Sequence, residues 1–91
     1  MMRYPIAIEP GDETRAFGLV VPDLPGCFTS ADMQDDVISL AREAITLWLI
    51  EALKEGRTIP QPSAIDEIPR RPEFAGWSTA WAVSYTHLTL P

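Results

Sequence analysis

Cys27 is the only thiol in the chain and His87 the only imidazole, so any thiol-based chemistry would have to run through that pair. A thiol becomes a working nucleophile only with a base beside it. A cysteine without one reads as a small buried hydrophobe. Zinc needs several Cys or His ligands, which the chain does not supply. The thirteen Asp and Glu offer more scope for metal chemistry. A two-metal nuclease needs several carboxylates converging in one pocket, yet the candidate strand interiors, Ile6-Ala7-Ile8 and Gly18-Leu19-Val20, carry none. Glu9 and Asp23 fall at strand ends, and Glu43 and Glu51 on different parts of a helix surface. The five glycines are scattered one by one, so there is no phosphate-cradling loop. The reading is of a non-enzymatic chain with no catalytic, cofactor-binding or metal-ligating residues.

Binding is better provided for. Asp23 lies within Pro22-Asp23-Leu24-Pro25-Gly26-Cys27, where its carboxylate is placed to cap backbone N–H groups of the Pro25-Gly26 turn. Trp77 and Trp81 share one side of a strand pattern and suit a core, an oligomer interface or an aromatic platform. Seven Lys and Arg give a formal net charge of -6. Such a chain repels phosphate backbones unless its cations cluster, and only Arg70-Arg71 are adjacent. No direct nucleic-acid binding is expected. Acidity suits a basic protein partner and equally serves solubility.

These residues are positioned by a short series of elements. Tyr4, Ile6 and Ile8 alternate with Pro5, Ala7 and Glu9, the period of a half-buried strand. Pro10-Gly11-Asp12-Glu13 makes a turn, with Gly11 free to take positive φ. Phe17, Leu19 and Val21 continue a second strand, completing a hairpin. Pro22 and Pro25 end it, Pro25-Gly26 fits a type II turn, and Cys27-Phe28-Thr29 returns as a third strand. A helix is predicted from Met33 to Glu55, capped by Asp32, with Asp35 and Asp36 at its positive end. Gly56 stops it. Val37, Leu40, Ala41, Ala44, Ile45, Trp48 and Ala52 share one face, widened by Leu47 and Leu49, with Ile50 out of place on the polar side. That stripe is wider than one sheet needs and predicts a contact with a second copy. From Arg57 to Gly76 the pattern dissolves into a proline-rich connection of extended character, which Ile59, Ile65 and Ile68 can pin across the domain. Trp77, Thr79, Trp81 and Val83 then alternate with small residues as a fourth strand.

Ninety-one residues make one small domain. No apolar run reaches the ~18–20 residues that span a bilayer. The N-terminus Met-Met-Arg-Tyr-Pro-Ile lacks an apolar signal region, and one cysteine forms no internal disulfide. A cytoplasmic protein is expected. Residues 84–91 keep only a weak alternation and resemble translated adapter sequence. The domain is therefore drawn over residues 1–83, with 84–91 set apart as a tail of adapter-like sequence and His87 given no role.

The order of these blocks resembles the HicB-type antitoxins of bacterial toxin–antitoxin pairs. The likeness rests on Arg3-Tyr4-Pro5-Ile6, on Phe17-Gly18-Leu19-Val20-Val21-Pro22-Asp23-Leu24-Pro25-Gly26-Cys27, on Ala41-Arg42-Glu43-Ala44-Ile45, and on Ile59-Pro60-Gln61-Pro62-Ser63 after Gly56. It implies an α+β, partial RNase H-like fold, β-β-β-α-β, with one long helix on a small, mostly antiparallel sheet. It further implies a partner, a HicA-type toxin, which is a small basic ribonuclease that cleaves mRNA through a histidine. The antitoxin would occlude that toxin's RNA-binding or active-site surface. Members usually carry a DNA-binding domain after the fourth strand, and the chain ends before one would fit. Met33 stands where the family often has a capping Thr. The expected toxin contacts are Asp23, Pro25, Gly26, Asp35 and Asp36, and the expected homo-oligomer interface is Trp48, Trp77 and Trp81. The alternatives are a vestigial RNase H-like nuclease and an orphan oligomerisation domain of a truncated transcriptional repressor.

Overall fold

Strand β1 (Arg3–Glu9) owes its position to the alternation seen in its sequence, but it is buried on both faces. Tyr4, Ile6 and Ala7 are all inaccessible, and so is Pro5. The half-buried expectation is corrected here because β1 is an inner strand with a cover on each side. In the computed structural model, which describes residues 2–84, β1 is joined by β2 (Phe17–Val20), β3 (Phe28–Ala31) and β4 (Ser78–Val83). The sheet order is β3-β2-β1-β4, and every neighbouring pair is antiparallel. The third strand begins one residue later and runs two residues further than its sequence suggested, and the fourth starts after Trp77.

Register decides which side chains meet. Tyr4 opposes Ala82, Ile6 opposes Ala80, and Leu19 opposes both Ile8 and Thr29. These form the inner face, on which helix α1 (Val37–Lys54) lies. Ala80 and Ala82 leave room for the helix, which buries Val37, Ala41, Ile45, Leu49 and Ala52. The buried stripe is centred further round than expected: it reaches to Leu49, which is fully buried, while Leu40, Ala44 and Trp48 are only partly covered. No helix among the described residues is long and apolar enough to cross a membrane.

The start of α1 also differs. A 3-10 turn over Gln34–Asp36 precedes it, and neither Met33 nor Asp36 makes a side-chain cap. Asp32 is not the cap; Asp36 N–H donates instead to the Met33 carbonyl, 3.1 Å away. The end is as predicted. Gly56 takes φ +69, and Arg57 N–H reaches the Ala52 carbonyl at 2.9 Å while Gly56 N–H reaches Leu53, the paired bonds of a Schellman ending.

The connection after α1 crosses to the outer face of the sheet. It is more regular than its sequence suggests, with 3-10 turns over Ile65–Arg70 and Pro72–Phe74. Of the three isoleucines expected to pin it, Ile68 is fully buried against Ala7 and Phe74, with Val20 and Trp77 at the margin. Ile59 packs on the inner core, and Ile65 is only partly buried.

At the first hairpin, Asp12 Oδ1 accepts hydrogen bonds from Thr14 N, Thr14 Oγ1 and Arg15 N at 2.8–2.9 Å, which hold its carboxyl below the usual range. Gly11 does not take positive φ. It is required for another reason: a Cβ there would lie 2.8 Å from both the Arg15 carbonyl oxygen and the Phe17 nitrogen. At the far end Ser84, assigned to the tail in the sequence, is buried. Its N–H donates to the Met2 carbonyl at 2.9 Å and its Oγ accepts from Met2 N at 3.3 Å. His87 lies outside the described residues.

Candidate functional site

The segment Pro22–Cys27 is two β-turns in series. Leu24 N–H donates to the Val21 carbonyl and Cys27 N–H to the Leu24 carbonyl, each at 3.0 Å. Proline at the second position of each turn fixes φ. Gly26 takes φ +79, as the third position of a type II turn requires. A further bond from Val21 N–H to the Cys27 carbonyl, also 3.0 Å, closes the loop at its base. Leu24 points into the core, which leaves Pro25 and Gly26 exposed at the tip.

Side chains from three other elements brace this ridge. Trp48 Nε1–H donates to the Pro25 carbonyl at 2.9 Å, and the Arg57 guanidinium stacks over the Trp48 ring, 4.9 Å from its centroid. Asp23 does not cap the Pro25-Gly26 turn, whose closing donor, Cys27 N–H, is taken by the Leu24 carbonyl. Its carboxylate reaches across to the connection instead, accepting from Ser63 N at 2.8 Å and from Ser63 Oγ at 2.5 Å. Tyr4 reinforces the same junction by donating its hydroxyl hydrogen to the Pro60 carbonyl at 2.6 Å. Ser63 and Tyr4 were given no such role from sequence. The available signal was a serine flanked by the prolines of the connection, with an aspartate elsewhere needing donors.

Two grooves flank the ridge. One, of about 560 Å³, lies between β3 and α1 and is lined by Phe28, Leu40, Glu43, Leu47, Ile50 and Lys54 among others. The second, of about 360 Å³, lies on the outer side against Arg71, Glu73 and Phe74. The ridge between them offers a rigid, convex surface, the form that enters a partner's cleft with little ordering cost.

The other expected contact residues are not gathered there. Asp35 and Asp36 are exposed in the 3-10 turn at the start of α1, about 18 Å along the helix from Trp48 at 1.5 Å per residue. The tryptophans also separate. Trp48 sits beside the ridge, whereas Trp81 lies under the Arg3 guanidinium, 4.3 Å from its ring centroid, and Trp77 packs on Phe74 at 5.2 Å. Each therefore has a partner within the chain.

Burial pushes the Cys27 thiol up to about 11, so at neutral pH it is a protonated core group. Among the described residues no group of three or more His, Cys, Asp or Glu is placed to hold a metal ion. Tyr4 is pushed up to about 12, first by burial and then by the nearby Asp23 carboxylate. For both groups the unfolded chain ionises first, near 9.0 and 10.0. Their stabilising contribution is whole below pH 9 and is lost as pH rises through 9–11 for Cys27 and 10–12 for Tyr4. Urea midpoints measured from pH 8 to 12 should fall in that window, and Tyr4→Phe should flatten the decline above pH 10. An unchanged slope in that variant would remove Tyr4 from the account.

The model of a family described as HicB-like antitoxins of bacterial toxin–antitoxin systems matches residues 4–89. An uncharacterised 14.9 kDa protein of Haemophilus phage HP1 is 32% identical over 88 residues, covering 96% of this chain and 65% of the phage protein. The chain thus spans just under two thirds of that relative's length. Among solved structures, it is similar to the N-terminal domain of the Burkholderia pseudomallei antitoxin HicB, with 29% identity and a TM-score of 0.77 over 93% of this chain and 100% of that one. It is also similar to a chain in a HicA3–HicB3 toxin–antitoxin complex, with 27% identity and a TM-score of 0.74 over 93% of this chain and 100% of that one. With the match running through nearly all of its sheet, helix and braced turn, the chain belongs to the HicB-like antitoxins of bacterial toxin–antitoxin systems.

Proposed function

We propose that the chain neutralises a HicA-type, mRNA-cleaving toxin by binding it and covering its RNA-binding or active-site surface. The observation that carries this reading is the likeness to a chain of the HicA3–HicB3 complex, which this fold covers over its full length. The mechanism is steric and electrostatic, with no bond made or broken. A net charge of -6 steers the chain toward a basic partner and raises the rate of encounter. The braced ridge at Pro25 and Gly26 supplies one contact, with Asp23 holding it against the connection. The exposed pair Asp35 and Asp36 supplies a second. In the same reading the fold is a reduced RNase H-like core whose strand interiors lack carboxylates, which supports binding over hydrolysis. The chain acts as a homo-oligomer.

The test titrates the protein into the ribonuclease encoded beside it, following RNA cleavage and heat of binding together. Wild-type protein should abolish cleavage. Charge reversal of both acids, Asp35→Lys with Asp36→Lys, should weaken binding by about tenfold at low salt, mostly through a slower on-rate, with the difference shrinking as salt is added. Unchanged affinity would remove the acidic turn from the interface. Failure of the wild type to bind an active toxin would end the antitoxin reading.

A further inference from the structure

At the end of the sheet away from the ridge, the start of α1 and the strands do not close fully on one another. A cavity of about 290 Å³ remains between them. Ile8 of β1, Pro10, Phe17 of β2, and Val37 and Ile38 of α1 form its apolar walls. The exposed Gln34 and Ser78 complete the lining. There is room for one large side chain, since an apolar cavity of about 150 Å³ already admits benzene. Ile38 is 41% exposed, and Met33, next to Gln34, is 61% exposed. Open apolar surface beside a cavity marks a contact site rather than scattered surface hydrophobics.

The charge around the cavity says what enters it. Within three positions of a lining residue stand Glu9, Asp12, Glu13, Asp32, Asp35 and Asp36, against Arg15 alone. Asp12 is occupied in its own turn, but Asp32, Asp35 and Asp36 are exposed, and Asp36 makes no side-chain cap. Such a rim repels nucleic acid and draws a basic partner. A small neutral apolar molecule would fill the walls but gain nothing from the rim. The occupant that satisfies both is a large apolar side chain carried on a basic protein segment.

We propose that this cavity is an anchoring pocket: it takes one leucine, methionine or phenylalanine side chain of the HicA-type toxin, while Asp32, Asp35 and Asp36 meet lysines or arginines that flank that side chain. The inference rests on the toxin reading above and supplies what the acidic turn alone lacks. Exposed charge pairs chiefly speed encounter and hold little. A side chain sealed in an apolar pocket acts mainly on residence time, as buried anchors at interfaces do. The acidic turn and the ridge are about 18 Å apart along α1, a span that one face of a small protein covers. The pocket thus turns the outer of the two contacts from a charged patch into a socket.

Stopped-flow binding of the intact chain to the toxin encoded beside it tests the pocket. Ser78→Phe fills the cavity from the first residue of β4 and should raise the dissociation constant about thirtyfold, through faster release and equally at low and high salt. Ile38→Ala, which opens a wall, should raise it about tenfold. Both positions are exposed, so the circular dichroism spectrum should not change. In the wild type, NMR of methyl-labelled isoleucines should show Ile8 and Ile38 shifting as toxin is added, with Ile68 on the outer face unmoved. If the wild type binds but Ser78→Phe binds as tightly, or the Ile38 methyl stays in place, the pocket is overturned and the toxin reading stands. A loss in Ser78→Phe that vanishes with added salt would overturn it too, leaving only the charge. The same methyls shifting with the chain's own concentration, in the absence of toxin, would give the cavity to a second copy instead. A wild type that does not bind an active toxin ends both readings together.

Discussion

Replacing Leu49 with alanine should lower the unfolding free energy by about 3–4 kcal/mol, the range for truncating a fully enclosed leucine. The same replacement two residues earlier, at Leu47, should change it by less than about 0.5 kcal/mol. Leu49 is inaccessible on the buried face of α1 and belongs to the inner core with Tyr4, Ile6 and Ile45. Removing its branch leaves a hole between helix and sheet that neighbouring side chains fill only in part, so both transfer and cavity terms are lost. A small domain has about 5–15 kcal/mol of stability in all, and this one residue holds a large part of it. Urea unfolding followed by tryptophan fluorescence provides the measurement, at concentrations low enough to keep the chain monomeric, since dimerisation adds a concentration-dependent increment. Equal effects at the two leucines would mean that the helix sits in a different rotation on the sheet.

Ile68→Ala should cost about 2–4 kcal/mol, and its effect should be localised. Ile68 is the fully buried residue by which the connection grips the outer sheet face, next to Ala7, with Phe74 closing over it. Truncation takes away the anchor but leaves the helix side of the sheet untouched. Amides in residues 65–76 should therefore exchange much faster with solvent while those of α1 change little, the signature of local opening. Were the connection only a tether, the cost would stay under about 0.5 kcal/mol and exchange there would already be rapid in the wild type.

These two residues also show what can be read from one sequence. The double turn at Pro22–Cys27 was legible because proline and glycine act locally, each fixing its own backbone angle. The strands were visible for a similar reason, since alternation is a property of the segment itself. The rotation of α1 was less so. Leu47, Leu49 and Ile50 are all apolar, and only the sheet, which touches one of the three, distinguishes among them. Burial of Ala7 escaped notice because a strand cannot show from its own residues that a segment sixty positions later will cover its second face. Asp23 failed in the same way. A carboxylate beside a turn has local donors within reach, and its actual partner, Ser63, is forty residues away. The acidic start of the helix was recognised, but the Asp32 cap was displaced by a tighter first turn whose bonds are made by backbone alone.

The pairing of β1 with β4 has a consequence for how the chain is made. The inner strand receives its second neighbour from residues 78–83, the last strand among the described residues. At synthesis rates of about 5–20 residues per second, β1 waits roughly 4–15 seconds with one edge unpaired. The pairing closes so long a loop that it forms late and slowly. A nascent chain stalled before Ser78 therefore displays an open, apolar strand edge of the kind that recruits other strands. Vulnerability to misassembly is thus concentrated in the interval between making β1 and making β4.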